Sequence, residues 1–110
     1  MVRIDSVIRR DAPSAKAAGE FIVLLDERGE TWTSTTFAGH LTKWQDNPAI
    51  KTLTFIIGDP YGHNDATRAI ADRVWSVSAG TLPSDLAWVV AWEQVYRAVT
   101  IQRGMPYHHA

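Results

Sequence analysis

Two nearly unbroken apolar runs, FIVLL at Phe21–Leu25 and LTFII at Leu53–Ile57, restrict what this chain can fold into more than any other feature. A strand with one wet face alternates apolar and polar side chains. A run that does not alternate needs cover on both faces, which is the condition of strands in parallel sheets. A weaker third run, VWSVS, follows at Val74–Ser78. Between the first two, STTFAGHLTKWQDN sets Phe37, Leu41 and Trp44 at helical spacing behind Ser34, a suitable N-cap. Between the second and third, HNDATRAIADR predicts a short helix capped by Asn64 or Asp65, with Ala66, Ala69, Ile70 and Val74 on one side. Strand, helix, strand, helix, strand is the pattern of an α/β fold: a parallel sheet with flanking helices and right-handed crossovers.

After Pro83 comes the longest helical stretch, Asp85 to Arg103, stopped by Gly104 and Pro106. Its residues Leu86, Trp88, Val89, Val90, Trp92, Val95, Val99 and Ile101 cover most of the circumference, so it must be buried on more than one side. The expected arrangement is sheet on one side and a second subunit, forming a homodimer, on the other. Trp75, Trp88 and Trp92 read as core and interface residues. At the front, MVRIDSVI suits a short edge strand, and RRDAPSAKAAGE a loop with room for one helical turn. The 110 residues make one domain, 1–110. With no cysteine, disulfides and thiolate metal sites are excluded. His108–His109 has no carboxylate cluster beside it to fill a coordination sphere, so no metal is expected. No apolar stretch reaches signal-peptide or membrane-spanning length, which makes a cytoplasmic protein without a membrane partner the expectation. A net charge of −1 gives no global attraction to nucleic acid, so any RNA contact needs a local basic patch.

Ligands of open parallel sheets gather outside the carboxyl ends of the strands. Here those ends read LLDERG, IIGDPYG and SVSAGTLP. The middle one brackets Asp59 and a proline between Gly58 and Gly62, a tight turn with exposed backbone amides. In the third, Ser78, Ala79, Gly80, Thr81 and Leu82 are mostly small and let backbone approach a flat ring closely. Neither carries the Gly-Lys-Ser/Thr of a phosphate loop or the glycine spacing of a dinucleotide site. Three such turns at one sheet edge favour a cofactor cleft. The C-terminal EQVYRAVTIQRGMPYHHA adds Arg97, Tyr107 and His108, more chemistry than chain ends usually carry.

FIIGDPYG, WSVSAGTLP and WEQVYRAVTIQRGMPYHHA, in this order and spacing, resemble the RlmH branch of the SPOUT methyltransferases, from about Phe21 to the C-terminus. The resemblance implies a parallel α/β sheet with a C-terminal trefoil knot, a homodimer, and S-adenosylmethionine-dependent methylation of N3 of a pseudouridine in large-subunit ribosomal RNA. By the same resemblance the cofactor lies across Leu25, the turn Gly58, Asp59 to Gly62, and the loop Val77, Ser78, Ala79, Gly80, Thr81, Leu82. It further implies that the tail closes over the cofactor and presents Tyr107 and His108 to the RNA, while Arg97 orients the nucleotide or a phosphate. Arg97 and the tail are then the candidates to handle the N3 proton or the anion, and His108 is the best-placed base, since an imidazole titrates near neutrality. The family's turn usually reads Gly-Gly-x-x-Gly, and Asp59 stands at the second glycine; its carboxylate can obstruct backbone approach or bind the methionine amino group. The segment before Phe21 is shorter than the family pattern. A smaller sheet follows, with RNA contact resting on Arg3, Arg9, Arg10, Lys16, Arg97 and Arg103. A non-catalytic knotted binding protein is the second reading.

Overall fold

The computed structural model describes the backbone of residues 5–9, 15–57, 65–77 and 84–104, and the side chains of 15–57, 65–77 and 86–104. Four strands, β1 (Asp5–Arg9), β2 (Glu20–Thr31), β3 (Thr52–Ile56) and β4 (Arg73–Ser76), form one sheet in the order β1-β3-β2-β4. Every pairing is parallel. The helices are α1 (Ser34–Asp46), α2 (Asp65–Ile70) and α3 (Ser84–Gln102). The expected α/β architecture is present, and the front segment does supply an edge strand.

The apolar runs are covered on both faces. Val23, Leu25, Leu53, Phe55, Ile57 and Trp75 point to one side, where they meet Phe37, Ala38, Leu41 and Trp44 of α1 and Ala91, Val95 and Ala98 of α3. Ile22, Leu24 and Ile56 point to the other, against Ile70, Ala71 and Val74. Topology explains the split. The chain moves one way along the sheet from β2 to β3 and back the other way from β3 to β4. Crossovers of one hand then place α1 and α2 on opposite faces. The larger core is aromatic: Trp75 stacks on Phe37 at 4.5 Å and on Trp32 at 5.4 Å, with Phe55 edge-on at 6.1 Å. Each such ring contributes roughly 1.5–3 kcal/mol by leaving water. The one buried threonine of β3, Thr54, donates its hydroxyl to Glu20 at 2.6 Å, so that face carries a satisfied polar group.

Several local expectations are corrected. The α1 cap is Thr33, whose hydroxyl oxygen accepts from the Thr36 N–H at 3.0 Å; Ser34 is already helical and donates instead to Gln94. In α2, Ala66 and Ala69 are exposed, and Thr67 and Ile70 face inward; Val74 belongs to β4. Strand β2 does not stop at Leu25. It runs on to Thr31 through an irregularity in which both Leu25 and Glu30 stand opposite Trp75. Gly29 permits this. A Cβ there would lie 2.6–2.7 Å from the backbone of Val74 and Trp75, closer than real contacts allow. Helix α3 ends one residue earlier than expected, and Gly104 supplies the left-handed turn at φ 66°.

Gly29→Ala should therefore destabilise the protein at the upper end of the ~1–3 kcal/mol typical of overpacking, because the obstructing atoms are backbone. Urea unfolding measures it. An unchanged midpoint would mean that β2 and β4 do not approach each other this closely.

Candidate active site

Parallel register brings the strand ends level. Leu24 stands opposite Ile56, and Leu25 opposite Trp75, so Leu25, Ile57 and Val77 emerge along one edge of the sheet. The chain leaves β2 toward α1 on one face and leaves the neighbouring β3 toward α2 on the other. Connections departing in opposite directions from adjacent strands open a crevice between them, the place where α/β sheets take ligands. Its floor is apolar: Leu25 and Ile57 are 6% and 7% exposed, and Val77 packs partly buried on the same core. Leu25 and Val77, two of the residues expected to hold the cofactor, are brought together here. Gly58, Asp59, Gly62, Ser78, Ala79, Gly80, Thr81 and Leu82, together with Tyr107 and His108, lie outside the described residues.

Immediately beyond Leu25 is a residue that the sequence reading passed over. The Asp26 side chain is 7% exposed. Its carboxylate accepts from the Arg28 backbone N–H at 2.9 Å and from the Arg68 guanidinium of α2, with Arg28 Nε at 3.5 Å. Burial alone would raise its pKa, but the Arg28 N–H and the Arg68 and Arg28 charges outweigh that and hold it below the ordinary 3.8. The local signal was available. An aspartate two residues before a free N–H, at the end of an apolar run, is the pattern of an Asx turn. Its partner on α2, 42 residues away, had no such signal.

Arg97 sits on α3, part-buried. Its Nε and Nη2 both donate to Glu93 Oε1, at 2.9 and 2.6 Å. Gln94 Nε2 donates to the other Glu93 oxygen at 3.0 Å, and Ser34 of α1 donates to Gln94 at 3.2 Å. Glu93 thus pairs with a cation. Lys16, counted among the RNA-contacting cations, is held by both oxygens of Asp72 at 2.7 Å, and Asp72 also accepts from the Ile22 N–H. Arg103 is exposed; Arg3 and Arg10, and the side chain of Arg9, lie outside the described residues. Among the described residues no three His, Asp or Glu groups gather as a metal site, and no helix is long and apolar enough to cross a membrane.

A family model described as "Predicted SPOUT methyltransferase" matches residues 5–108. The chain belongs to this family. Among curated proteins, the ribosomal RNA large subunit methyltransferase H of Solidesulfovibrio magneticus is 43% identical over 107 residues, covering 92% of this chain and 69% of its own length. The proteins of the same name from Gloeobacter violaceus and Deinococcus radiodurans are each 44% identical, over 83% and 84% of this chain. They are covered over 58% and 64% of their own lengths, so the chain spans roughly six-tenths of several relatives that it matches. Within a SPOUT methyltransferase, the crevice between β2 and β3 is the natural place to seek the reaction.

The lowered Asp26 value carries a sign. A carboxylate whose folded pKa is depressed stabilises the fold above its unfolded value and loses that contribution as pH falls through the folded value. Asp26→Asn should cost about 1–3 kcal/mol at pH 7. The gap to the unaltered protein should close as pH drops below 3.8. Urea midpoints across pH 7 to 2 measure this; a gap that stays constant would mean the charge contributes nothing.

Proposed function

We propose that this chain is an S-adenosylmethionine-dependent methyltransferase acting on N3 of a pseudouridine in large-subunit ribosomal RNA, in the cytoplasm and as a homodimer. The observation that carries the reading is the position of Leu25 and Val77 on one rim beside the switch point between β2 and β3, in a member of the SPOUT family. The names of the relatives favour it over a non-catalytic binding protein. The knotted C-terminus belongs to the same proposal and is supported by the family match.

The residues present suit such a cofactor. Leu25, Ile57 and Val77 offer an apolar floor of the kind an adenine ring needs. The turn Gly58–Gly62, with Asp59, and the loop Val77–Leu82 would supply backbone donors and acceptors at its edges. The cofactor, when bound, supplies a methyl group already activated on a sulfonium. What remains for the protein is alignment, exclusion of water, and a place for a proton. Pseudouridine N3 is protonated at neutral pH, and His108 would take that proton as the N–C bond forms. Arg97, steadied by Glu93, would meet the nucleotide or its phosphate and offset the charge developing on the base. Tyr107 would help the tail close over the slot.

Purified protein, large-subunit RNA or ribosomes, and methyl-labelled cofactor test this. Label should appear on one pseudouridine by mass spectrometry. Arg97→Ala should lower kcat by roughly a hundredfold or more. So should truncation after Gly104. No detectable cofactor binding at millimolar concentration would return the chain to the binding-protein class.

The homodimer has its own support. Ser34 lies beside Gln94, and Thr42 and Gln45 lie beside Gln102, so α1 and α3 run side by side in the same direction. Residues 84–93 therefore project about 15 Å past the start of α1. On that overhang Leu86, Val89 and Trp92 are 47%, 59% and 42% exposed, followed by Tyr96 at 54%. A stripe this apolar on a small protein suits a second copy. Val89→Asp should shift the sedimentation coefficient from dimer to monomer. A wild-type protein that sediments as a monomer at high concentration would end the dimer reading.

A further inference from the structure

The sheet fixes β2 against β3 only as far as the pair Leu24–Ile56. Leu25 is the next residue, and the rim of the slot begins there. From that point the ladder still ties β2 to β4, but side chains must set how β2 stands relative to the chain beyond β3. Asp26 is placed to do this. By strand alternation it faces the α2 side, as Ile22 and Leu24 do. Its carboxylate reaches Arg68, on the helix that receives the chain directly after the Gly58–Gly62 turn. The same carboxylate takes the Arg28 N–H and folds residues 26–28 into a turn. That turn starts the irregularity that ends with Gly29 pressed on the backbone of Val74 and Trp75, just before Val77. One buried group thus joins two approaches to the slot directly, the middle of β2 and the helix that follows β3, and the turn it closes leads to the third, at Gly29 against β4.

We propose that Asp26, through its ion pair with Arg68, is a positioning residue that sets where Leu25, in the floor of the cofactor slot, stands relative to α2. The proposal rests on the reading of that slot as the S-adenosylmethionine site. Asp26 itself touches no reacting atom. It fixes Leu25, part of the apolar floor of the slot, relative to α2 on the opposite face of the sheet. A tie of this kind acts on cofactor affinity and leaves RNA affinity alone, since Arg97 is held independently through Glu93. A purely stabilising ion pair would behave differently: its loss would lower the unfolding midpoint without changing the dissociation constant of the molecules that remain folded.

The experiment is calorimetric titration of S-adenosylmethionine, and of its demethylated product S-adenosylhomocysteine, into the wild type, Asp26→Asn, Arg68→Gln and the double variant. All are measured at a temperature where circular dichroism shows each folded. Each single variant should bind both ligands about tenfold more weakly, the scale of losing one buried charge-assisted hydrogen bond. The double variant should lose no more than either single one, because both remove the same tie. In turnover, KM for the cofactor should rise while KM for RNA stays within twofold. Arg68 is 29% exposed and tolerates substitution better than Asp26, so Arg68→Gln decides the matter should Asp26→Asn not fold. A folded variant that binds within twofold of wild type would overturn the positioning role and leave the slot assignment standing. A wild type that binds neither ligand would remove the slot assignment, and this proposal with it.

Discussion

The first half of strand β2 has no face free for water. Ile22, Val23 and Leu24 are wholly buried and Leu25 nearly so, and that single condition organises the rest of the protein. A strand buried on both sides must have strands beside it and helices above and below. In a chain this short, the helices must come from the connections themselves. With β3 and β4 flanking β2, the path has to reverse direction along the sheet. The reversal places α1 and α3 on one face and α2 on the other, and it leaves neighbouring strand ends whose chains diverge. The crevice at this rim is thus a geometric consequence of covering β2, and the side chains that floor it, Leu25 and Ile57, belong to the core already.

How much of this could be read from the residues depended on whether the cause was local. Phe21–Leu25, Leu53–Ile57 and the Phe37–Leu41–Trp44 spacing are periodic signals, and each became the element it indicated. The α1 cap fell one residue from its expected place because Thr33 and Ser34 are chemically equivalent candidates. The choice was made elsewhere: Ser34 serves better as a donor to Gln94, 60 positions later. The second half of β2 was illegible for a sharper reason. Asp26-Glu27-Arg28-Gly29 reads as a solvated turn, and part of it is one, yet the chain resumes its pairing at Glu30. Only the absence of a side chain at Gly29 lets β4 come close enough for that, and the need arises from a strand some 45 residues downstream. Of the expected site, Leu25 and Val77 could be placed from where apolar runs stop. Asp26 could not, because its meaning lies in Arg68 across the fold.

Helix α3 shows the same division. Its apolar surface on nearly every side was plain in the sequence, and burial on two sides was the sensible conclusion. Only the fold gives the offset with α1. Along its inner side, small residues, Ala91 and Ala98 with Val95 between them, let α3 lie close, and these three are covered. On its other side Leu86, Val89 and Trp92 of the overhang, and Tyr96 beyond it, face outward. The exposed stripe is not scattered: it runs along one side of α3 next to Glu93 and Arg97, so that whatever covers the stripe also borders that arginine.

Charge is the remaining constraint on how an RNA would be met. Lys16, Arg28, Arg68, Arg73 and Arg97, five of the eight basic residues whose side chains are described, stand in ion pairs with Asp72, Asp26, Asp26, Glu30 and Glu93 respectively. An arginine paired with a carboxylate projects little field beyond its neighbour, and the net charge of the chain is −1. Long-range attraction to a polyanion is therefore weak by construction. Under the proposed function, recognition has to come from fit, with the paired arginine presented at a fixed angle and the target base delivered by a structured RNA that already holds it outward. The same pairs that suppress the field make the site rigid. Arg97 bound to Glu93 loses reach and gains orientation, and Asp26 bound to Arg68 does the same for the rim. For a reaction whose methyl donor needs alignment more than activation, that exchange favours rate over capture.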